Sequence, residues 1–182
     1  MSGGLGGHMI IHDIKEEEQR KYIKSHWKQE TILEGENLKY CRGCFGCWVK
    51  TPGQCVIKDG FGDIGKKIAH SDHLVIVSKC YYGGFSPEVK GIVDRSIAYV
   101  LPTFRTKNKK MYHKPRYKER ITLSVLFYGE ISEQEKKIAK EVVKANGQNF
   151  NTIDWKVEFC KEEDVIRNLE NIMKSRRKEA EK

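Results

Sequence analysis

The sequence predicts an α/β protein in which a parallel sheet of about five strands lies between two layers of helices. Two observations lead there. Short apolar runs alternate with stretches of helical period along most of the 182 residues. One run, Leu74-Val75-Ile76-Val77, is unbroken and mostly β-branched, as a strand buried on both faces of a parallel sheet must be. Such alternation implies right-handed crossovers and a ligand site beyond the carboxyl ends of the strands.

The elements follow in order. Met1 to Met9 are rich in glycine, have neither a positive n-region nor an apolar h-region, and read as the remnant of a tag, which leaves one domain over 10–182. Ile10 to Ile14 is the first strand, and Glu16 to Trp27 is a helix with Tyr22, Ile23 and Trp27 on one face. Thr31 to Leu33 is a second short strand before Gly35, and after the cysteine-rich segment Phe61, Ile64 and Ile68 recur at helical spacing behind Asp59. Leu74 to Val77 is then the central strand. Ser86 caps the next helix with Pro87 in its first turn, and Val89, Val93, Ile97 and Val100 carry its stripe towards Pro102. Residues 102–120 show no helical period and read as a long basic connection. Ile121 to Tyr128 is a strand, Ser132 and Glu135 form a capping box, and Ile138, Val142 and Ala145 carry a helix to Gly147. Ile153, Trp155, Val157 and Phe159 alternate with polar residues as in an edge strand. Val165, Leu169 and Ile172 share one face of a last helix that ends in Lys and Arg.

Composition narrows the function. No apolar stretch approaches the roughly 20 residues that span a bilayer, so a membrane protein is excluded. Six cysteines without a signal peptide point to a reducing, cytoplasmic setting, where clustered thiols bind metal or do redox chemistry. The net charge of +9 suits an anionic partner, such as a phosphorylated cofactor, without locating a site.

Three segments carry chemistry. Beyond the central strand, Ser78, Lys79, Cys80, Tyr81, Tyr82, Gly83, Gly84 and Phe85 lie at the sheet's carboxyl edge; the paired glycines let a backbone approach a flat ligand and the tyrosines offer ring faces. The alternative is a turn whose tyrosines cover the core. Cys41, Cys44, Cys47 and Cys55 have the pattern C-x2-C-x2-C-x7-C, which can hold an iron-sulfur cluster or zinc, or can bury its thiols as small apolar groups beside Phe45, Trp48 and Val49. The basic connection sets Arg105, Lys107 and Arg120 among Phe104, Tyr112, His113, Arg116 and Tyr117, and suits cofactor phosphates or a solvated loop better than nucleic acid.

The segments Cys41 to Cys55, Tyr81 to Ser86 with Asp94-Arg95, and His113 to Tyr117 resemble the NADPH-dependent FMN reductase family of the flavodoxin-like superfamily, over most of the chain from residue 40 onward. The cysteine pattern is similar to that of iron-sulfur flavoproteins. The resemblance implies a three-layer sandwich with strand order 2-1-3-4-5. It implies FMN bound by residues 78–85 with Tyr128 and Gly129, NAD(P)H as electron donor, a substrate loop at His113, Arg116 and Tyr117, a 4Fe-4S cluster on the four cysteines, and a homodimer. The expected function is an FMN-dependent NAD(P)H oxidoreductase passing electrons to an acceptor that the sequence does not name.

One segment departs from the family. Related flavoproteins hold the FMN phosphate in a Ser/Thr-rich loop after the first strand, whereas this chain has His12-Asp13-Ile14-Lys15-Glu16-Glu17-Glu18. Glutamates suit a helix start but repel a phosphate. The alternative function is therefore a flavodoxin-like protein with a degenerate phosphate loop, serving as a binding or structural subunit.

Overall fold

A computed structural model describes residues 7–28, 31–34, 37–107, 109–118 and 120–180. In chain order the elements are β1 (His8–His12), α1 (Glu17–His26), β2 (Thr31–Glu34), α2 (Gly46–Val49), α3 (Ile64–Ala69), β3 (His73–Lys79), α4 (Pro87–Arg95), β4 (Val100–Lys107), β5 (Lys110–Pro115), β6 (Thr122–Tyr128), α5 (Glu133–Asn149), β7 (Trp155–Cys160) and α6 (Val165–Ala180), with single 3-10 turns at Ser96–Tyr99 and Glu162–Asp164.

The main sheet is five-stranded and parallel in the order β2-β1-β3-β6-β7. With the β4–β5 hairpin set aside this is the expected 2-1-3-4-5 order, and β3 is central. Side chains alternate across the strands. Met9, Ile11, Leu74, Ile76, Leu123, Val125 and Phe127 pack on one face with α3, α4 and α5. Ile10, Val75, Val77 and Leu126 pack on the other with α1 and α6. Each of these strand residues is fully buried, worth about 1.5–3 kcal/mol per large aliphatic side chain.

The predicted caps are present. Ser86 Oγ accepts from Val89 N at 3.3 Å. Ser132 Oγ accepts from Glu135 N while Glu135 accepts from Ser132 N at 2.9 Å, closing the capping box.

Several boundaries differ from the expectation. β1 begins at His8, two residues before the expected strand, and Met9 lies in the core. α4 stops at Arg95, short of Val100. There Gly65 of α3 abuts the following turn so closely that a Cβ on it would stand 2.7 Å from Tyr99 N, and the chain turns away into β4. Residues 102–120 are not a structureless connection but contain most of the antiparallel β4–β5 hairpin. It stands outside the main sheet with Phe104 and Met111 exposed, so it never shows the one-sided alternation that marks a strand. α5 runs through Gly147 and buries Ala139, Val143 and Gly147 instead of Ile138 and Ala145. Gly35, most of the glycine-rich start (residues 1–6) and the side chains of the last Arg and Lys in α6 lie outside the described residues.

Candidate functional site

A cavity of about 490 Å³ is lined by all four clustered cysteines, together with Trp48, Arg95, His113 and Phe150. This volume lies within the usual range for ligand sites. The local sequence shapes it. Gly43 and Phe45 take the left-handed conformation (φ 63° and 56°), which bends the chain into α2, and this single turn points Cys47 inward. Trp48 Nε1 donates to Val100 O at 3.0 Å, pinning α2 to the start of the hairpin. A chain of ring contacts, Phe45–Trp48–His113–Phe104 at 5.5, 5.1 and 4.4 Å, runs from the cysteine loop to the hairpin.

Thiol packing describes Cys47 alone, which is 8% exposed. Cys41 and Cys44 are exposed, as are Phe45 and Val49 beside them, and Cys55 is half-buried. Burial first, then Cys55, Cys41 and Cys44, pushes the Cys47 thiol up. Among the described residues no three metal-ligating side chains are drawn together as a single bound ion would hold them. The donor set nevertheless fits an iron-sulfur cluster, whose ligands are thiolates. A cation already faces it: Arg95 is buried in the same cavity wall and its Nε has no hydrogen-bond partner among the described residues.

The sheet's carboxyl edge is a different environment. Asp13 follows β1 and accepts from Lys79 N at 3.0 Å, from the Tyr128 hydroxyl at 3.0 Å and from Ser78 Oγ at 3.5 Å, tying the ends of β1, β3 and β6 together. Burial raises its carboxyl above the ordinary range, against these hydrogen bonds. Burial, with Asp13 beside it, likewise pushes the Tyr128 hydroxyl up. Glu16 caps α1 with its own carboxylate, accepting from Glu18 N at 3.1 Å and Gln19 N at 2.8 Å. Those are the helix N-terminal donors that a phosphate would use. The two cavities here, about 150 and 380 Å³, are lined by Glu16, Glu162 and Glu163 and by Asp13, Glu34 and Glu88, against Lys15 and Arg20. The residues present do not fit the phosphate of FMN.

The segment expected under a flavin ring is mixed. Tyr81 and Gly84 exchange backbone bonds at 3.0 and 2.7 Å around Tyr82 and Gly83, both with positive φ, a tight turn that leaves Tyr81 and Tyr82 exposed. Phe85 is buried against Phe127, Ser78 is buried, and burial raises the Cys80 thiol. Lys79 pairs with Glu162 at 3.3 Å. Gly129 (φ 116°) turns the chain after Tyr128.

Of the residues expected in a substrate loop, His113 lines the cysteine cavity and its Nδ1 bonds Leu101 O at 2.7 Å. Arg116 Nε donates to Ala98 O at 2.9 Å, and Arg116 and Tyr117 both close on Gly53 of the cysteine loop. The hairpin residues thus gather at the cysteines. The two sites lie at opposite ends of α4: its Ser86 end bonds Ser78 at 2.9 Å, and its Arg95 end forms the cavity wall. Nine residues of helix separate them, about 13 Å. Sequence reading missed the Asp59–Arg95 pair, whose members are 36 residues apart and share no motif.

No family model matches the chain. Among curated proteins, it is 24% identical over 107 residues to an iron-sulfur flavoprotein of Archaeoglobus fulgidus, covering 59% of this chain and 42% of that protein. It is 38% identical over 64 residues to an iron-sulfur flavoprotein of Methanocaldococcus jannaschii, covering 35% of this chain and 32% of that protein. The aligned region spans less than half the length of either relative. Among solved structures, a NAD(P)H:quinone oxidoreductase from Methanothermobacter marburgensis superposes with a TM-score of 0.55 at 12% identity, covering 94% of this chain and 96% of that one. An FMN-dependent NADH-azoreductase from Bacillus anthracis, solved with FMN, superposes with the same TM-score at 13% identity, covering 88% and 89%. These structural likenesses establish a shared fold.

Proposed function

We propose, from the premise that this chain is a flavodoxin-like protein of the NADPH-dependent FMN reductase kind with the cysteine motif of iron-sulfur flavoproteins, that it is a redox protein whose electron-carrying group is an iron-sulfur cluster on Cys41, Cys44, Cys47 and Cys55. The observation that carries the reading is that all four thiols line one cavity of about 490 Å³ while Cys41 and Cys44 stay exposed. Thiols that only filled the core would be buried. A bound cluster supplies one-electron transfer. The chain's own residues shape its surroundings: Trp48 and Phe150 form apolar wall, and His113, in tilted ring contact with Trp48 and Phe104, forms the rim facing the hairpin.

The test is anaerobic reconstitution with ferrous iron and sulfide, followed by gel filtration. Broad visible absorbance that stays with the protein and is bleached by dithionite is the expected result. A colourless protein, or iron uptake unchanged in a Cys41→Ser, Cys44→Ser variant, would overturn the assignment.

A second reading is an FMN-dependent NAD(P)H oxidoreductase, working as a homodimer and reducing an acceptor yet to be named. One observation favours it: Tyr81 and Tyr82 stand exposed on a tight turn at the carboxyl edge, 47% and 87% accessible, where a flat ring can stack. The carboxylates of Asp13 and Glu16 oppose it at the phosphate end. Flavin retained through gel filtration supports this reading, and flavin left free removes it.

A further inference from the structure

A buried ion pair lies in the wall of the cysteine cavity and has no part in the reading above. Arg95 closes α4 with its side chain 0% exposed, and its guanidinium grips Asp59 through both nitrogens, at 2.7 and 2.9 Å. The same Nη1 donates to Lys39 O. Asp59 in turn accepts from Lys39 N at 3.0 Å and Phe61 N at 3.2 Å. Lys39 precedes the cysteine segment and Asp59 follows it, so one buried ion pair joins both ends of the loop that carries all four thiols. Arg95 and Cys55 line the same cavity, and the Arg95 Nε has no hydrogen-bond partner among the described residues. A buried guanidinium with a donor to spare is costly unless something anionic completes its surroundings. A set of thiolates on a cluster is such a group.

We propose that Arg95 is the positioning residue of the cysteine site: with Asp59 it clamps the base of the 41–55 loop, and it presents a cation and a free N–H to an anionic thiolate cluster beside Cys55. The cluster half of this assignment rests on the function proposed above; the clamp half does not. Lysine at this position keeps the charge but loses the planar two-point grip. A hydrogen-bond donor beside a ligating sulfur tunes a cluster's reduction potential, and its loss makes reduction harder.

Two variants test it: Arg95→Lys, and the neutral pair Arg95→Gln with Asp59→Asn, which leaves no lone buried charge should the first fold poorly. In the metal-free protein, the alkylation rate of Cys47 with iodoacetamide reports whether the loop stays closed. It should rise at least tenfold in both variants while the far-ultraviolet circular dichroism stays native. In reconstituted protein, iron loss to a chelator should quicken at least tenfold. The midpoint potential of retained cluster in Arg95→Lys should become more negative, a shift that a purely structural arginine would not produce. Alkylation at the wild-type rate in both variants would overturn the clamp, and an unchanged potential would overturn the electrostatic role. Failure of the wild-type protein to take up iron would count against the cluster alone, because the metal-free alkylation still decides for or against the clamp.

Discussion

At Asp13 and Glu16 the chain fills with its own carboxylates the place where its fold relatives are expected to hold a phosphate. Glu16 already satisfies the N–H groups of Glu18 and Gln19, and Glu17 and Glu18 add negative charge in the same turn. Each carboxylate held about 4 Å from a phosphate charge costs about 1 to 4 kcal/mol, depending on solvent exposure. Riboflavin, which lacks that phosphate, should therefore bind at least as well as FMN. The double variant Asp13→Ser, Glu16→Ser should gain at least tenfold for FMN and little for riboflavin, both read from quenching of flavin fluorescence. An FMN preference in the unmodified protein would show that another group holds the phosphate. Asp59 makes a second prediction. The Arg95 guanidinium beside it holds its carboxyl far below the ordinary range, so the folded value lies below the unfolded one. Its contribution is present at every pH above the ordinary carboxyl value and is lost only as pH falls through the depressed one. Asp59→Asn strands a buried cation and should cost about 3 to 5 kcal/mol. In urea titrations that difference from the wild type should hold from neutral pH down to about pH 4 and close only in stronger acid. A difference that already closes near pH 6 would mean that Asp59 is not the group responsible.

Among the elements, the strands of the main sheet and the longer helices that cover it were legible, and the hairpin outside it was not. β3 announced itself because both faces are buried, which leaves an unbroken apolar run, and α4 because Ser86 and Pro87 supply its start chemically. The hairpin gave no such signal: Phe104 and Met111 face solvent, so periodicity had nothing to record. α5 misled for a related reason. Ile138 looked like core, but it covers Gly83 of the tyrosine turn instead of the sheet. That contact makes a prediction. Gly83 has φ 82°, and a Cβ there would stand 2.6 Å from Ile138 Cβ and 2.8 Å from Glu135 O, a backbone atom that cannot swing aside. Gly83→Ala should cost about 1 to 3 kcal/mol, measured by urea unfolding, whereas Gly84→Ala, with nothing nearer than 3.4 Å, should cost less. Equal costs would mean that the turn is not held against α5.

On the scale of the whole molecule, the sequence revealed the four cysteines and the tyrosine turn as separate motifs but could not show how far apart they lie. Their separation follows from the crossover: α4 starts where β3 ends and carries the chain back along the sheet, so Arg95 and the cysteine cavity stand one helix length from Ser86 and the carboxyl edge. The hairpin, which sequence reasoning set near a cofactor's phosphates, also sits with the cysteines through His113, Arg116 and Tyr117. Two sites at opposite ends of one rigid helix, with no shared side chain in their linings, should bind independently. Cys41 and Cys44 are exposed, so replacing both with serine disturbs no core packing and empties the cysteine site of half its donors. The dissociation constants of riboflavin and FMN for that variant should match those of the unaltered protein within about twofold. Coupling of the size usual between linked sites, about 1 to 3 kcal/mol, would instead appear as a change of about 5- to 150-fold. A change of that size would mean that α4 transmits the state of the cysteine loop to the carboxyl edge, with Arg95 at one end and Ser86 at the other as the residues to vary next.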